Sequence, residues 1–223
     1  MIKKLTALAA LALLLVAQRP LAQGAGLRIY FVDIGQGAGT LIVGPPDGTG
    51  KVTSLLVDGG PPGGGTTKII PLLDALGIAK IDYTVVTHYH IDHISGITEL
   101  LTAGRVGAVA YDNGDSAELT PPNAGGTRNA YLAYVAAATA AGVPRQQIQP
   151  GQTLSLGPGV SATCIAAGGR LISGGAVPIT NEDLNSESVA MLVEFGSFDY
   201  LVSGDLTGGG STSTAKTDRK SVV

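Results

Sequence analysis

Apolar residues recur at two different spacings along this chain, and the switches between them divide it into elements. Residues 27–34, 40–43 and 52–57 are short β-rich runs. They end in the turn signals Gly35-Gln36-Gly37, Pro45-Pro46-Asp47-Gly48 and Asp58-Gly59-Gly60. Three such runs in succession predict an antiparallel meander. The period then changes: Ile69, Ile70, Leu72, Leu73 and Leu76 predict a helix over 66–76. Pro71 suits only the first turn of that helix, and Gly77 is its natural stop. A strand over 81–87 leads into a helix over 94–101 that ends at Gly104. Residues 112–127 read as a polar loop, and 128–141 as an alanine-rich helix stopped by Gly142 and Pro144. A second set of strands follows at 154–156, 160–165, 189–195 and 200–203. This order predicts one mixed α and β domain over 27–206, two layers of sheet with helices outside. Residues 207–223 are a low-complexity, polar tail.

The first 22 residues stand apart. Lys3 and Lys4 precede a run of 12 almost wholly apolar residues, 5–16, and Pro20-Leu21-Ala22 follows. The run is the length of a signal-peptide core and short for a membrane span. It predicts export to the periplasm or medium, with no stable membrane anchor after cleavage near Ala22. The domain left behind would carry 11 basic and 17 acidic residues, a net charge of −6. An acidic domain does not draw polyanions by long-range charge, so nucleic acid is a disfavoured partner unless held locally. Hydrophobic residues at 44 % and charged ones at 14 % exclude wholesale disorder. Cys164 is the single cysteine, so no internal disulfide forms; its apolar surroundings predict a buried thiol.

All 3 histidines fall within six residues, His88-Tyr89-His90-Ile91-Asp92-His93. The segment joins a strand to a helix, where functional residues concentrate. His88 and His90 are two apart, so an extended backbone points both rings the same way, able to grip one cation. Asp92 and His93, on the turn into the helix, can reach a neighbouring cation. Imidazole with carboxylate suits zinc, with manganese or iron as substitutes.

The run Thr87-His88-Tyr89-His90-Ile91-Asp92-His93-Ile94-Ser95-Gly96 resembles the T-H-x-H-x-D-H-x-x-G signature of the metallo-β-lactamase superfamily. Four further blocks resemble the extracytoplasmic hydrolase domain of ComEC-type DNA-uptake proteins. They are residues 32–37, 56–60 and 203–205, with Asn185 and Ser188 ahead of an apolar strand. The resemblance implies an α+β fold, a four-layer αββα sandwich with metals at the edge between the sheets. It implies that His88, His90, Asp92, His93 and Asp205 are the metal ligands, Asp205 bridging two ions. It also implies that Asp58 supports the site from behind; the residues alone leave Asp58-Gly59-Gly60 open to a plain strand-ending turn. Asp33 is open between a turn and a site role.

Three departures qualify the resemblance. Ala38 stands where many relatives have an acidic residue. The third-block histidine is replaced by the Asn185 and Ser188 pattern. No histidine follows His93, and the chain ends 18 residues after Asp205. The expectation is therefore a C-terminal segment missing from the sandwich, a loose second metal and an exposed sheet edge. The resulting functional expectation is an exported hydrolase using a zinc-activated water, Asp92 serving as ligand and proton acceptor, on phosphodiester or other small-molecule substrates. The alternatives are hydrolysis of another ester, thioester or lactam bond, or metal binding with little activity.

Overall fold

The computed structural model describes residues 26–114, 125–176 and 184–206. The expected leader (1–22) and polar tail (207–223) lie outside them. The first sheet has six strands in the order β1 (Arg28–Phe31), β2 (Thr40–Val43), β3 (Ser54–Val57), β4 (Ile81–Val85), β5 (Val106–Asp112) and β6 (Arg145–Gln147). The first three form the expected antiparallel meander. From β3 onward the pairing is parallel. The cause is the connections: α1 (Ile70–Leu76), α2 (Ile91–Thr102) and α3 (Gly126–Ala141) each carry the chain back across the sheet before the next strand.

The second sheet holds β7 (Thr153–Ser155), β8 (Val160–Ala167), β10 (Ala190–Phe195) and β11 (Phe198–Val202) in the order β11-β10-β8-β7, with β9 (Arg170–Leu171) on the end of β8. Its four-strand path is antiparallel throughout.

Two hydrophobic clusters fill the layers. Leu41, Val43 and Leu56 point toward the helices, against Leu73, Ile94, Ile97 and Tyr134. Their neighbours Ile42, Leu55 and Val57 point the other way, against Leu154, Ala162, Met191 and Val193 of the second sheet. A sheet covered on both faces has no polar side, which is why β2 and β3 are buried at every residue. Cys164 lies in the inter-sheet cluster, buried as expected. Among the described residues no helix is long and apolar enough to cross a membrane.

Three differences from the sequence reading have local causes. β5 escapes the pattern because Gly107, Ala108 and Ala110 dilute its β-branched signal. The helix expected from 66 begins as a π turn over Gly65–Ile69 and becomes α-helical at Ile70, where Pro71 sits in the first turn. α2 begins at Ile91 rather than at 94, because His90 adopts the extended N-cap conformation and its carbonyl accepts the His93 and Ile94 N–H groups. Asp92 and His93 thus belong to the helix's first turn.

Candidate metal centre

The site is assembled at the C-terminal ends of β3 and β4, with the second sheet supplying the far wall. Asp58 follows β3 and is fully buried. Its φ of 58° places it in the left-handed region that non-glycine residues avoid, at a cost of about 1–2 kcal/mol. What the strained backbone holds is a carboxylate with three donors. Thr87 donates its backbone N–H to Oδ1 at 2.8 Å and its hydroxyl to Oδ2 at 2.7 Å. His93 Nδ1 contacts the same Oδ2 at 2.8 Å.

That arrangement fixes the tautomers of two histidines. His93 gives its Nδ1 proton to Asp58, so its Nε2 carries the lone pair. The Thr87 hydroxyl has spent its one proton on Asp58, so at 3.1 Å from His88 Nδ1 it can only accept. His88 Nε2 is then also a bare lone pair, 3.0 Å from His90 Nδ1. Ser188 Oγ adds a contact at 3.3 Å to His88 Nδ1. Burial, then the neighbouring His93 and His90, push the His88 pKa down to about 2, so the ring stays neutral. For His93, burial opposes the charge, but Asp58, Asp205 and Asp92 outweigh it and raise the pKa above its ordinary value.

Close glycine packing sets these distances. Gly59 donates its N–H to the His93 carbonyl at 2.8 Å, and Gly96 donates to the Gly60 carbonyl at 3.1 Å. A Cβ on either Gly59 or Gly96 would collide with the backbone of the other's segment. Gly204, at φ 53°, similarly lies against Thr87 and delivers Asp205 to the cluster.

Of the five expected ligands, the structure gathers His88, His93 and Asp205, whose donor atoms all lie within 4.8 Å of one another. Asp205 Oδ2 is 3.5 Å from His93 Nε2, with a third of the side chain exposed. His90 is half-buried beside His88, their ring centroids 4.8 Å apart. Asp92 is outside the three-residue set; Gln36 Nε2 donates to its Oδ2 at 3.3 Å, and a Cβ at Gly37 would overlap its backbone. Asp33 is exposed, and none of the site's hydrogen bonds involves it. Sequence reading passed over the Thr87 hydroxyl and Gln36 as working groups. Thr87 stood in the motif itself and Gln36 in the resembling block 32–37, but neither side chain was given a role there.

The residues fit a metal ion. His93 Nε2 is buried with no hydrogen bond, a state that costs about 1–3 kcal/mol unless a cation takes the lone pair. A neutral His88 and a carboxylate beside it complete a donor set of the zinc type.

Residues 33–217 match the family model of the metallo-β-lactamase superfamily. No curated protein matches the chain. Among solved structures, it is similar to the metallo-β-lactamase fold protein YhfI of Bacillus subtilis, with 20% identity and a TM-score of 0.40 over 75% of this chain and 55% of that one. It is also similar to a metallo-β-lactamase of Staphylococcus aureus, with 15% identity and a TM-score of 0.43 over 78% and 40%. A third is a metallo-β-lactamase of Pontibacter korlensis, with 13% identity and a TM-score of 0.40 over 75% and 63%. The chain thus spans about half the length of the first two. With more than half of its residues matched by the family model, the chain belongs to the metallo-β-lactamase superfamily.

Proposed function

We propose that this protein is an exported hydrolase that holds zinc through His88, His93 and Asp205, with His90 and Asp92 alongside, and cleaves phosphodiesters. The observation that carries the metal assignment is the buried Asp58 array, which leaves both His88 Nε2 and His93 Nε2 as lone pairs beside the Asp205 carboxylate. Zinc, with manganese or iron as substitutes, lowers the pKa of a bound water toward about 7 and polarises a substrate oxygen. The chain's own groups do the rest. Asp58 and Thr87 hold the two rings in their metal-binding tautomers. Asp92, steadied by Gln36, is the group placed to take up a proton. Asp205, a third exposed, marks the side open to substrate.

Export is supported by Lys3, Lys4 and the apolar run 5–16. Mass spectrometry of the extracytoplasmic fraction should find a chain beginning after residue 22; an intact Met1 in the cytoplasm would refute it. The phosphodiester class is supported by the four ComEC-like blocks, and the acidic balance argues for small phosphodiesters over long nucleic acids. Assays of the zinc-loaded protein on bis-para-nitrophenyl phosphate and single-stranded DNA, against nitrocefin and a thioester, decide the class. Turnover confined to nitrocefin or the thioester would replace the phosphodiester reading. One observation favours a second reading, a metal-binding protein with little turnover: among the described residues the gathered set is a three-residue group from which Asp92 is absent. Zinc bound with no turnover on any of the four substrates is its signature.

A further inference from the structure

A buried polar network lies directly behind the histidine loop, and the chemistry above does not use it. Tyr89 sits between His88 and His90, and alternation along an extended segment turns it away from them. It is fully buried. Its phenol donates to the Gly114 carbonyl and accepts from Arg145 Nη2 at 3.2 Å. Arg145, on β6, forks onto Asp112 at the end of β5, with Nε 2.5 Å from Oδ2 and Nη2 3.3 Å from Oδ1. Asp112 also accepts the Gly114 N–H at 2.9 Å and the Tyr134 hydroxyl, from α3, at 3.2 Å. The Tyr131 ring closes the group: it meets Tyr89 edge-on at 4.7 Å, and the Arg145 guanidinium stands 5.1 Å over it.

A buried ion pair is a weak source of stability, since apolar side chains of equal volume commonly do as well. What it adds is direction, because the guanidinium is a rigid planar fork. The loop needs direction from somewhere. Among the described residues, the backbone hydrogen bonds flanking the motif are made at Thr87 and His90, and no backbone–backbone bond holds His88 or Tyr89. Thr87 and Ser188 act on the His88 ring itself; the phenol is what anchors the backbone between the two rings.

We infer that Tyr89, Arg145 and Asp112 form a positioning clamp that aims His88 and His90 at the cation, acting through the backbone between them. This rests on the metal reading above. None of the three touches the ion or substrate; each acts by limiting how far the two rings can swing.

The test compares two tyrosines of equal burial in the 223-residue chain. Tyr89→Phe removes the phenol that ties the loop, whereas Tyr134→Phe removes one that bonds Asp112 without touching the loop. Zinc affinity is read by chelator competition, and the visible spectrum of the Co2+-substituted protein reports ligand geometry. Tyr89→Phe and Arg145→Met should each weaken zinc about tenfold, the lower end for groups that orient metal ligands, and shift the Co2+ bands. Tyr134→Phe should stay within about twofold of the parent on the same scale. If Arg145→Met does not fold, Tyr89→Phe decides alone. A Tyr89→Phe protein with parental zinc affinity and Co2+ spectrum overturns the clamp and leaves the metal reading standing. A parent that binds no zinc overturns both.

Discussion

The two sheets are made differently, and the site is pinned unequally between them. The first sheet is covered on both faces, by helices and by its partner sheet, and its central strands have no exposed residue. The second is buried on one face only: Ala162, Cys164 and Ala166 of β8 point inward while Ser161, Thr163 and Ile165 face outward, half-buried. The first sheet carries Asp58, Thr87 and all three histidines; the second contributes Asp205 just past β11, in a segment of intermediate burial. A metal centre across such a seam has one rigid wall and one compliant wall. Damage to the first wall should therefore cost both fold and metal, and damage to the second should cost metal alone.

The largest effect is expected at Asp58. Asp58→Ala strips the acceptor from the Thr87 N–H, the Thr87 hydroxyl and His93 Nδ1, all buried. Orphaned buried donors cost about 1–3 kcal/mol each, and alanine keeps the Cβ that disfavours the left-handed φ of 58°, so no strain is relieved in return. Denaturant melts should show a loss of about 3 kcal/mol or more, together with the bound zinc. A variant that melts and binds like the parent would show that the first wall does not depend on this carboxylate.

Next comes the response of the zinc-free protein to acid. His88 has its pKa depressed from 6.5 to about 2 by burial first. Below 6.5 the unfolded chain takes up a proton there and the folded chain does not. Stability is lost as pH falls from 6.5 toward 2, by up to about 1.4 kcal/mol per unit. His93 works in the opposite sense. Its raised pKa gives a contribution that is complete below 6.5 and fades as pH rises through the folded value. Melting temperatures of the apoprotein from pH 6.5 down to 4.5 should fall, and His88→Gln should flatten that slope. Parallel slopes would show that His88 accepts a proton while folded.

Much of the rigid wall was legible in sequence, and the compliant wall much less so. The histidine motif is contiguous, so its alternation and its helix junction can be read from spacing alone. Spacing showed Asp58 only as the end of a strand, and its supporting role came from the family resemblance; that its carboxylate reaches 35 residues along the chain to His93 is a property of β3 and β4 lying side by side. β5, whose end carries Asp112, was hidden by its glycine and alanines. Arg145 carries no local mark, because its partners lie 33 and 56 residues away. Residue spacing can propose which atoms share a face; it cannot weigh pairings between distant strands.

A smaller effect on the fold, though not on the metal, is expected at Asp205. It is a third exposed, so Asp205→Asn should change stability by no more than about 0.5 kcal/mol. Loss of a charged donor from a three-residue set should nonetheless weaken zinc by an order of magnitude or more, at the scale of about 10–100-fold seen for groups supporting a metal. Calorimetric titration beside a thermal melt reads both. A large drop in melting temperature with zinc affinity retained would reverse the roles given to the two walls.

The smallest effect on stability is expected at the sheet edges. Among the described residues, β1 and β11 each pair on one side only, and so present unpaired N–H and C=O groups on the other. Exposed Phe31 and Phe198 stand on these strands, at 73% and 50% relative exposure, and Phe31 packs edge-on against Tyr200 of β11 with centroids 5.7 Å apart. Leu27, Ile29, Phe195 and Phe198 line an adjoining groove. An open edge beside apolar rings is the combination that lets strands of two molecules pair. A lysine at the edge opposes such pairing by charge repulsion while its methylene stem still covers the groove. Phe198→Lys should therefore leave the melting temperature and zinc content unchanged, since the ring is half in solvent. Its effect should appear in light scattering with rising protein concentration, as a smaller apparent mass than the parent's. Equal scattering from parent and variant would mean that the compliant sheet keeps its edge from pairing by other means. A melting temperature that fell by many degrees would mean that Phe198 belongs to the core, and that the second sheet is more firmly closed than its one-sided burial implies.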